Sequence, residues 1–143
     1  PDFLLLANTF STSSNLCENV ENVEEATELS EKIRLFCIEN GVDTHKSYIT
    51  ALCAEEIIVN IITHGFPKTK KRKGNIVCNV NIHEGEIKLT VYDNCIIFNP
   101  KDRYSESDSS DPAKNIGIRM LYKSAKDVSY QTLFGLNCLI VTV

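Results

Sequence analysis

The sequence lacks the features that mark several protein classes. Its 143 residues contain no tryptophan, one methionine and no apolar run near the roughly 18 residues that a membrane-spanning helix needs. Basic residues are not in excess, since fifteen Lys and Arg against nineteen Asp and Glu give a net charge of −4, and this disfavours a general nucleic-acid binder. Residues 1–7 have no basic n-region, so they do not resemble a signal peptide. We expect a single cytoplasmic domain spanning 1–143.

The cysteines also lack a recognisable metal or redox motif. The sequence has no C-x-x-C pair and no histidine pair at metal-ligand spacing. Four of the six fall inside apolar patterns, where a free thiol behaves as a small hydrophobic group. The six are Cys17, Cys37, Cys53, Cys78, Cys95 and Cys138. We predict free cysteines in a reducing compartment, with a zinc or redox site as the alternative.

Hydrophobic spacing predicts the elements in the first half of the chain. Residues 3–10 are typical of a strand, and a polar loop is predicted from there to about residue 22. Helical spacing begins at Val23 and stops at Asn40-Gly41. A second helix, capped by Asp43 or Thr44, is predicted to run to His64.

The second half alternates in the manner of two hairpins. The first pairs residues 76–82 with residues 87–91 through a turn at Glu84-Gly85. A polar loop over residues 101–114 leads to a short helix capped by Asn115, and a second hairpin turns at Phe134-Gly135. Helices gathered beside antiparallel hairpins favour an α+β fold, a two-layer sandwich with helices on one face of a mixed, mainly antiparallel sheet. A Rossmann fold is excluded because strands and helices do not alternate and G-x-G-x-x-G is absent.

The second helix carries polar groups inside an otherwise apolar pattern. Glu56 and Asn60 are one turn apart on the same face. A buried acid and a buried amide each need a partner, which points to a site. The alternative is that Glu55 or Glu56 turns to solvent at the helix edge.

Two further features stand where strands and helices end or begin. Asp93 leaves a hydrophobic strand and can accept a hydrogen bond from a ligand, or it can make an ordinary Asp-Asn turn with Asn94. Asn115 and Gly117 open the short helix, where free N–H groups can bind phosphate, or where a capped helix simply begins.

Taken in order, these segments resemble the histidine-kinase-like (GHKL, Bergerat-fold) ATPases. Residues 56–66, EIIVNIITHGF, resemble the N-box, and the His-Gly-aromatic ending is especially similar to the anti-sigma-factor serine kinases. Residues 91–100 stand where the family has D-x-G-x-G. Residues 115–117 match the second glycine box, and residues 135–137 match the closing G-T-T hairpin.

The resemblance implies a role for each matching residue. Asn60 would coordinate the Mg²⁺ that bridges the phosphates of ATP or ADP, and Glu56 would be the general base for an attacking serine. Asp93 would accept from the adenine amino group. The other nucleotide-binding positions would be Ile97, Asn115, Gly117 and Asn137, with residues 99–115 as the ATP lid. The implied partners are a STAS-type anti-anti-sigma protein and a sigma factor, and a homodimer is possible in the family.

Departures from the family pattern keep other functions open. Cys95 and Ile97 replace both glycines of D-x-G-x-G, Asn115 replaces a glycine and Asn137 replaces a threonine. These changes favour a second hypothesis, a non-catalytic module on the same fold that holds a protein partner. The ATPase domain of a sensor kinase is a further alternative. The basic segment of residues 68–73 suggests a solvated loop, with nucleic-acid binding ranked last.

Overall fold

A five-stranded antiparallel sheet and two long helices form two layers in the computed structural model, which describes residues 13–68, 74–95, 119 and 122–143. The strands are β1 (Ser13–Val20), β2 (Ile76–His83), β3 (Glu86–Asp93), β4 (Asp127–Leu133) and β5 (Leu136–Thr142). The helices are α1 (Val23–Glu39) and α2 (Thr44–Asn60). The sheet order is β1-β2-β3-β5-β4, and each neighbouring pair is antiparallel. The predicted α+β sandwich is confirmed.

One face of the sheet forms the core with the helices. On β2 every second residue is buried, and the register places Val80 opposite Leu89 of β3, which in turn lies opposite Val141 of β5. Buried residues of α1 and α2 belong to the same cluster, and α2 contacts β3 directly. Because side chains alternate along a strand, the register fixes which residues point into this core.

The first strand departs from the sequence prediction. Residues 13–20 were expected to be loop, yet they pair with β2 from Ser13↔His83 to Val20↔Ile76. The prediction was wrong because the segment is polar and its apolar pattern is short. Only Leu16 and Val20 give it an apolar inner face, which is enough for a strand at one end of the described sheet order. The strand predicted over residues 3–10 lies outside the described residues.

Both helices begin where the sequence indicated. Asn22 caps α1 by accepting from the backbone N–H of Glu25 at 2.8 Å, and Asp43 caps α2 by accepting from that of Lys46 at 2.8 Å. The Ser30 hydroxyl donates to the Ala51 carbonyl at 3.1 Å and joins the two helices. These contacts fix the starts of the two helices and join α1 to α2.

The end of the second helix also differs from the prediction. The α-helix stops at Asn60 instead of His64, and Ile61–Gly65 continue as a π-helix, followed by a short 3₁₀ segment, Phe66–Lys68. A π-helix has a wider turn than an α-helix and is frequent at functional sites. Hydrophobic spacing alone does not separate these helix types over five residues.

The two predicted hairpins are present with the predicted turns. Glu84 and Gly85 both have positive φ, as do Phe134 and Gly135, which is the pattern of the tight turns that match strand twist. Residue 119 and residues 122–124 are helical, in agreement with the short helix predicted before the second hairpin. Across the described residues, no helix has the length and apolar character needed to cross a membrane.

Candidate functional site

The last residue of β3, Asp93, lies on the core side of the sheet. It is 7% exposed and stands between Ile76 of β2 and Asn137 of β5. Asn137 is itself 2% exposed, and its Nδ2 donates to Asp93 Oδ1 at 2.8 Å. The backbone N–H of Cys95 donates to the same oxygen at 3.0 Å. A buried carboxylate with these donors can present its remaining acceptor capacity to a ligand.

The surroundings of Asp93 alter its protonation. Burial raises the pKa of the carboxyl above its usual 3.8, because desolvation disfavours the charged form. Hydrogen bonds from Asn137 and from Cys95 act in the opposite direction and lower the pKa. Asp93 is therefore an ionisable group kept in a mostly apolar place by specific donors, which is typical of a binding site.

The turn after Asp93 is compatible with both interpretations of this segment. The bond from Cys95 N–H to the side chain two residues before it makes an Asx turn, as the Asp-Asn pair suggested. The same side chain is also buried against Asn137. An ordinary turn and a candidate ligand-binding carboxylate are thus the same structure.

Glu56 and Asn60 lie together on α2. Both are half-buried, and both line a pocket of about 210 Å³ with Glu55 and Val59. Glu55 is engaged elsewhere, since its Oε1 accepts from the Thr27 hydroxyl of α1 at 3.3 Å. The predicted pairing of Glu56 and Asn60 on one face is therefore present, and Glu55 is tied to the neighbouring helix.

The π-helix brings the end of this helical segment beside the strand that ends at Asp93. A Cβ placed on Gly65 would lie 3.2 Å from both Cβ and Sγ of Cys95. Cys95 is buried, and its backbone is held by Asp93 and Asn137. The close approach joins the segment that carries Glu56 and Asn60 to the Asp93 turn.

Sequence reasoning missed a second close approach near the site. The ring of Phe66 packs directly against Gly74, where any Cβ would overlap its carbon atoms. Gly74 lies two residues before the start of β2. The aromatic residue after His64-Gly65 was the available signal, because a large ring at a helix end needs a small neighbour.

Several predicted positions lie outside the described residues. They are Ile97, Asn115 and Gly117, the proposed lid over 99–115 and residues 69–73 of the basic segment. The described part of the site consists of Glu56, Asn60, Asp93 and Asn137.

The cysteines behave as the apolar spacing suggested. Cys37, Cys53, Cys78 and Cys95 are buried, Cys17 is exposed, and all six thiols are free. Burial raises the pKa of Cys37 to about 11 and that of Cys78 to about 12. Within the described ranges no group of three or more His, Cys, Asp and Glu can hold a metal ion. The zinc alternative has no support there.

The donor set on α2 suits one metal ion in particular. The Asn60 amide and the Glu56 carboxylate supply oxygen atoms at one pocket. Mg²⁺ prefers oxygen and is usually held by one or two protein groups together with substrate phosphates and water. The Asn60 amide oxygen fits the part of a single protein ligand, and Glu56 beside it on the same pocket remains available for another role.

Comparison with known families agrees with this geometry. The family model of the histidine kinase-like ATPase domain matches residues 18–143. The chain therefore belongs to the histidine kinase-like ATPase domain family, and it is a kinase-like, ATP-binding domain. A comparison with curated proteins finds no match.

Proposed function

We propose that this domain is an ATP-dependent serine kinase of the anti-sigma type, which transfers the γ-phosphoryl group of ATP to a protein partner. The observation that carries the proposal is the meeting of two parts at Gly65 and Cys95. One part is the helical segment with Glu56 and Asn60, and the other is the buried carboxylate of Asp93.

Asp93 supplies the base-binding end of the proposed site. The buried Asp93 carboxylate would accept a hydrogen bond from an exocyclic amino group, which adenine has. The hydrogen bonds from Asn137 and from the Cys95 backbone hold the carboxylate in place before the nucleotide arrives. Such preorganisation lowers the cost of ordering the site on binding.

Asn60 and Glu56 supply the phosphate end. Asn60 would hold Mg²⁺ through its amide oxygen, and the ion would neutralise phosphate charge in the bound nucleotide. Glu56, one turn earlier on the same pocket, would accept the proton of an attacking serine hydroxyl. Phosphoryl transfer depends mainly on positioning and charge stabilisation, so this small set of residues is chemically adequate.

A second function is supported by the residue at position 95. The family pattern has glycine where this chain has Cys95, and the Cys95 side chain fills the space against Gly65 next to Asp93. A filled pocket favours a non-catalytic module that holds its protein partner without turnover. Backbone strain does not favour it, because the positive φ values of described non-glycine residues are at Glu84 and Phe134.

The proposed partner is a STAS-type anti-anti-sigma protein, with a sigma factor as the second ligand and a homodimer as the acting form. These proposals rest on the similarity of the His64-Gly65-Phe66 ending to the anti-sigma kinases. The phosphate acceptor would be a serine of the anti-anti-sigma protein.

Phosphoryl transfer tests the proposal directly. The purified domain is incubated with γ-labelled ATP, Mg²⁺ and the STAS-type proteins of the source organism. We expect label on a serine of one of them, dependent on Mg²⁺ and lost in Asn60→Ala. Stable association with a partner without label, with or without ATP, would support the non-catalytic module instead.

A further inference from the structure

Asn137 stands at a position where the resemblance implies nucleotide contact, yet its hydrogen-bonding groups face the protein. Its Nδ2 carries two hydrogens, and this nitrogen donates to Asp93 Oδ1 at 2.8 Å and to the Cys95 carbonyl at 3.1 Å. Its Oδ1 accepts from the Thr132 hydroxyl at 3.3 Å. Both donors are thus used inside the protein.

The neighbours also fix the orientation of this amide. Asp93 Oδ1 and the Cys95 carbonyl are both acceptors, so only the nitrogen can face them. The Thr132 hydroxyl can donate to the oxygen on the other side. A flipped amide would place oxygen against two oxygens and lose both bonds.

We propose that Asn137 is a positioning residue for Asp93 and does not itself contact the nucleotide: its amide holds the carboxylate and the start of the following turn in the geometry that receives an exocyclic amino group. This inference rests on the proposed nucleotide site. It assigns the discrimination of adenine to Asp93 as aimed by Asn137.

The Asn137 amide binds the segment of residues 93–95 at two points. One bond fixes the Asp93 side chain, and the other fixes the backbone two residues later. The Cys95 N–H returns to the same carboxylate oxygen, so the three groups form a closed set of hydrogen bonds. A side chain that bridges a strand end and a turn in this way limits how the carboxylate can rotate.

The closed set also affects the titration of Asp93. In the part of the chain that the structure describes, the groups that alter its pKa are Asn137 and Cys95, acting against burial. The bond from the Asn137 amide favours the ionised carboxylate, so its removal must raise the pKa further. Packing alone would not produce this change.

A pair of nearly isosteric variants separates positioning from packing. Asn137→Thr keeps one hydroxyl donor, and Asn137→Val keeps none. Both residues suit a strand, and Thr132→Val is the matched control because it removes only the bond to the Asn137 oxygen. Two measurements are made on each protein: the pH midpoint of the Asp93 carboxyl by carbon NMR without ligand, and the affinity for ADP.

We expect the Asp93 midpoint to rise in the order wild type, Asn137→Thr, Asn137→Val. ADP affinity should fall in the same order, by about tenfold or more for Asn137→Val. Thr132→Val should stay near wild type in both. If Asn137→Val does not fold, the wild type and Asn137→Thr still give the comparison.

Two results would overturn the inference. One is an Asp93 midpoint that is the same in the wild type and the position-137 variants. The other is a midpoint that moves while ADP affinity stays unchanged. A wild type that binds no ADP is a different result: it refutes the proposed nucleotide site, while the NMR midpoint still decides whether Asn137 holds the carboxylate.

Discussion

Two adjacent glutamates on α2 line the same pocket but differ in their hydrogen bonds. Glu55 is bonded to Thr27 of α1, whereas Glu56 lies one turn before Asn60 on their shared pocket. Neighbouring residues of a helix point about 100° apart, so the two cannot exchange roles without a change of the helix. Glu56 is therefore the residue that we propose as the general base, and Glu55 is the neighbour against which it is tested.

Removing the charge of Glu56 should therefore stop transfer and spare binding. We expect Glu56→Gln to keep ADP affinity within about threefold and to slow phosphoryl transfer by about 10²–10⁴-fold, the range for loss of a general base. Glu55→Gln is the matched control and should transfer at nearly the wild-type rate. Equal rates for wild type and Glu56→Gln in single-turnover assays would disprove the assignment.

The buried carboxylate of Asp93 should lower the free energy of unfolding at neutral pH, a cost that its proposed binding role would explain. Burial raises its pKa above 3.8, so over the pH range between the unfolded and folded pKa values the folded state holds more protons than the unfolded chain. The contribution of this group to stability is then greatest at low pH and falls as pH rises through the folded pKa. An uncharged residue at this position removes that dependence.

The Asp93→Asn variant tests both the effect of Asp93 on stability and its role in ADP binding. The urea midpoint of Asp93→Asn minus that of wild type should increase from about pH 3 to about pH 7, because wild type loses the contribution of its protonated carboxyl over this range. The affinity of the variant for ADP should be lower than that of wild type by about tenfold or more. Asp127→Asn, at an exposed strand start, is the control and should leave both nearly unchanged. A pH dependence parallel to that of wild type would contradict the account.

At the scale of elements, the site depends on how the π-helix meets the end of β3. Gly65 leaves room for Cys95, and the Cys95 backbone cannot retreat easily because Asp93 and Asn137 hold it. The side chain of Cys95 occupies space that is available because Gly65 has no side chain.

Substitutions at these two positions should be strongly coupled. Gly65→Ala is expected to lower the free energy of unfolding by about 1–3 kcal/mol through overpacking. In the double variant with Cys95→Gly, most of the stability lost through Gly65→Ala should be recovered, because the Cys95 atoms that the new Cβ would meet are gone. Denaturant unfolding of the four proteins gives the coupling energy. Additive losses would show that the contact does not limit packing.

The sequence predicted long, regular elements well and short or polar ones poorly. The start of α1 followed from its helical spacing, the start of α2 from its cap, and both hairpins from alternation and turn residues. β1 was missed because pairing with β2, and not its own apolar pattern, makes it a strand. The π-helix was missed because it begins inside an apolar run that an α-helix would also explain.

The candidate site, too, was predictable from the sequence only in part. That Glu56 and Asn60 share a face followed from helix geometry, whereas the choice of Asp93 as a site residue came from the family resemblance, because its place at a strand end also fits an ordinary turn. The bond between Asp93 and Asn137 joins residues 44 positions apart and depends on the register of β3 with β5. No local pattern contains that register, so the contact between Asp93 and Asn137 could be found only from the structure.

Across the whole molecule, the cysteines should differ sharply in reactivity. Cys17 is exposed on β1, whereas Cys37, Cys53 and Cys78 are buried with raised pKa values that keep their thiols protonated. We expect alkylation of the native protein to label Cys17 first and these three about a hundredfold more slowly or less. Mass spectrometry of timed samples measures this, with urea-unfolded protein as the control. Native labelling of Cys53 at the rate of Cys17 would contradict the described core.

The central claim is that the whole domain binds an adenine nucleotide with Mg²⁺, and calorimetric titration with ADP tests it most directly. The titration is made with and without Mg²⁺, on wild type and on Asn60→Ala. We predict dissociation constants on the order of micromolar for wild type with Mg²⁺, and loss of the Mg²⁺ dependence in Asn60→Ala. Absence of binding by the wild type up to millimolar ADP would contradict the account and leave the fold as a protein-binding module.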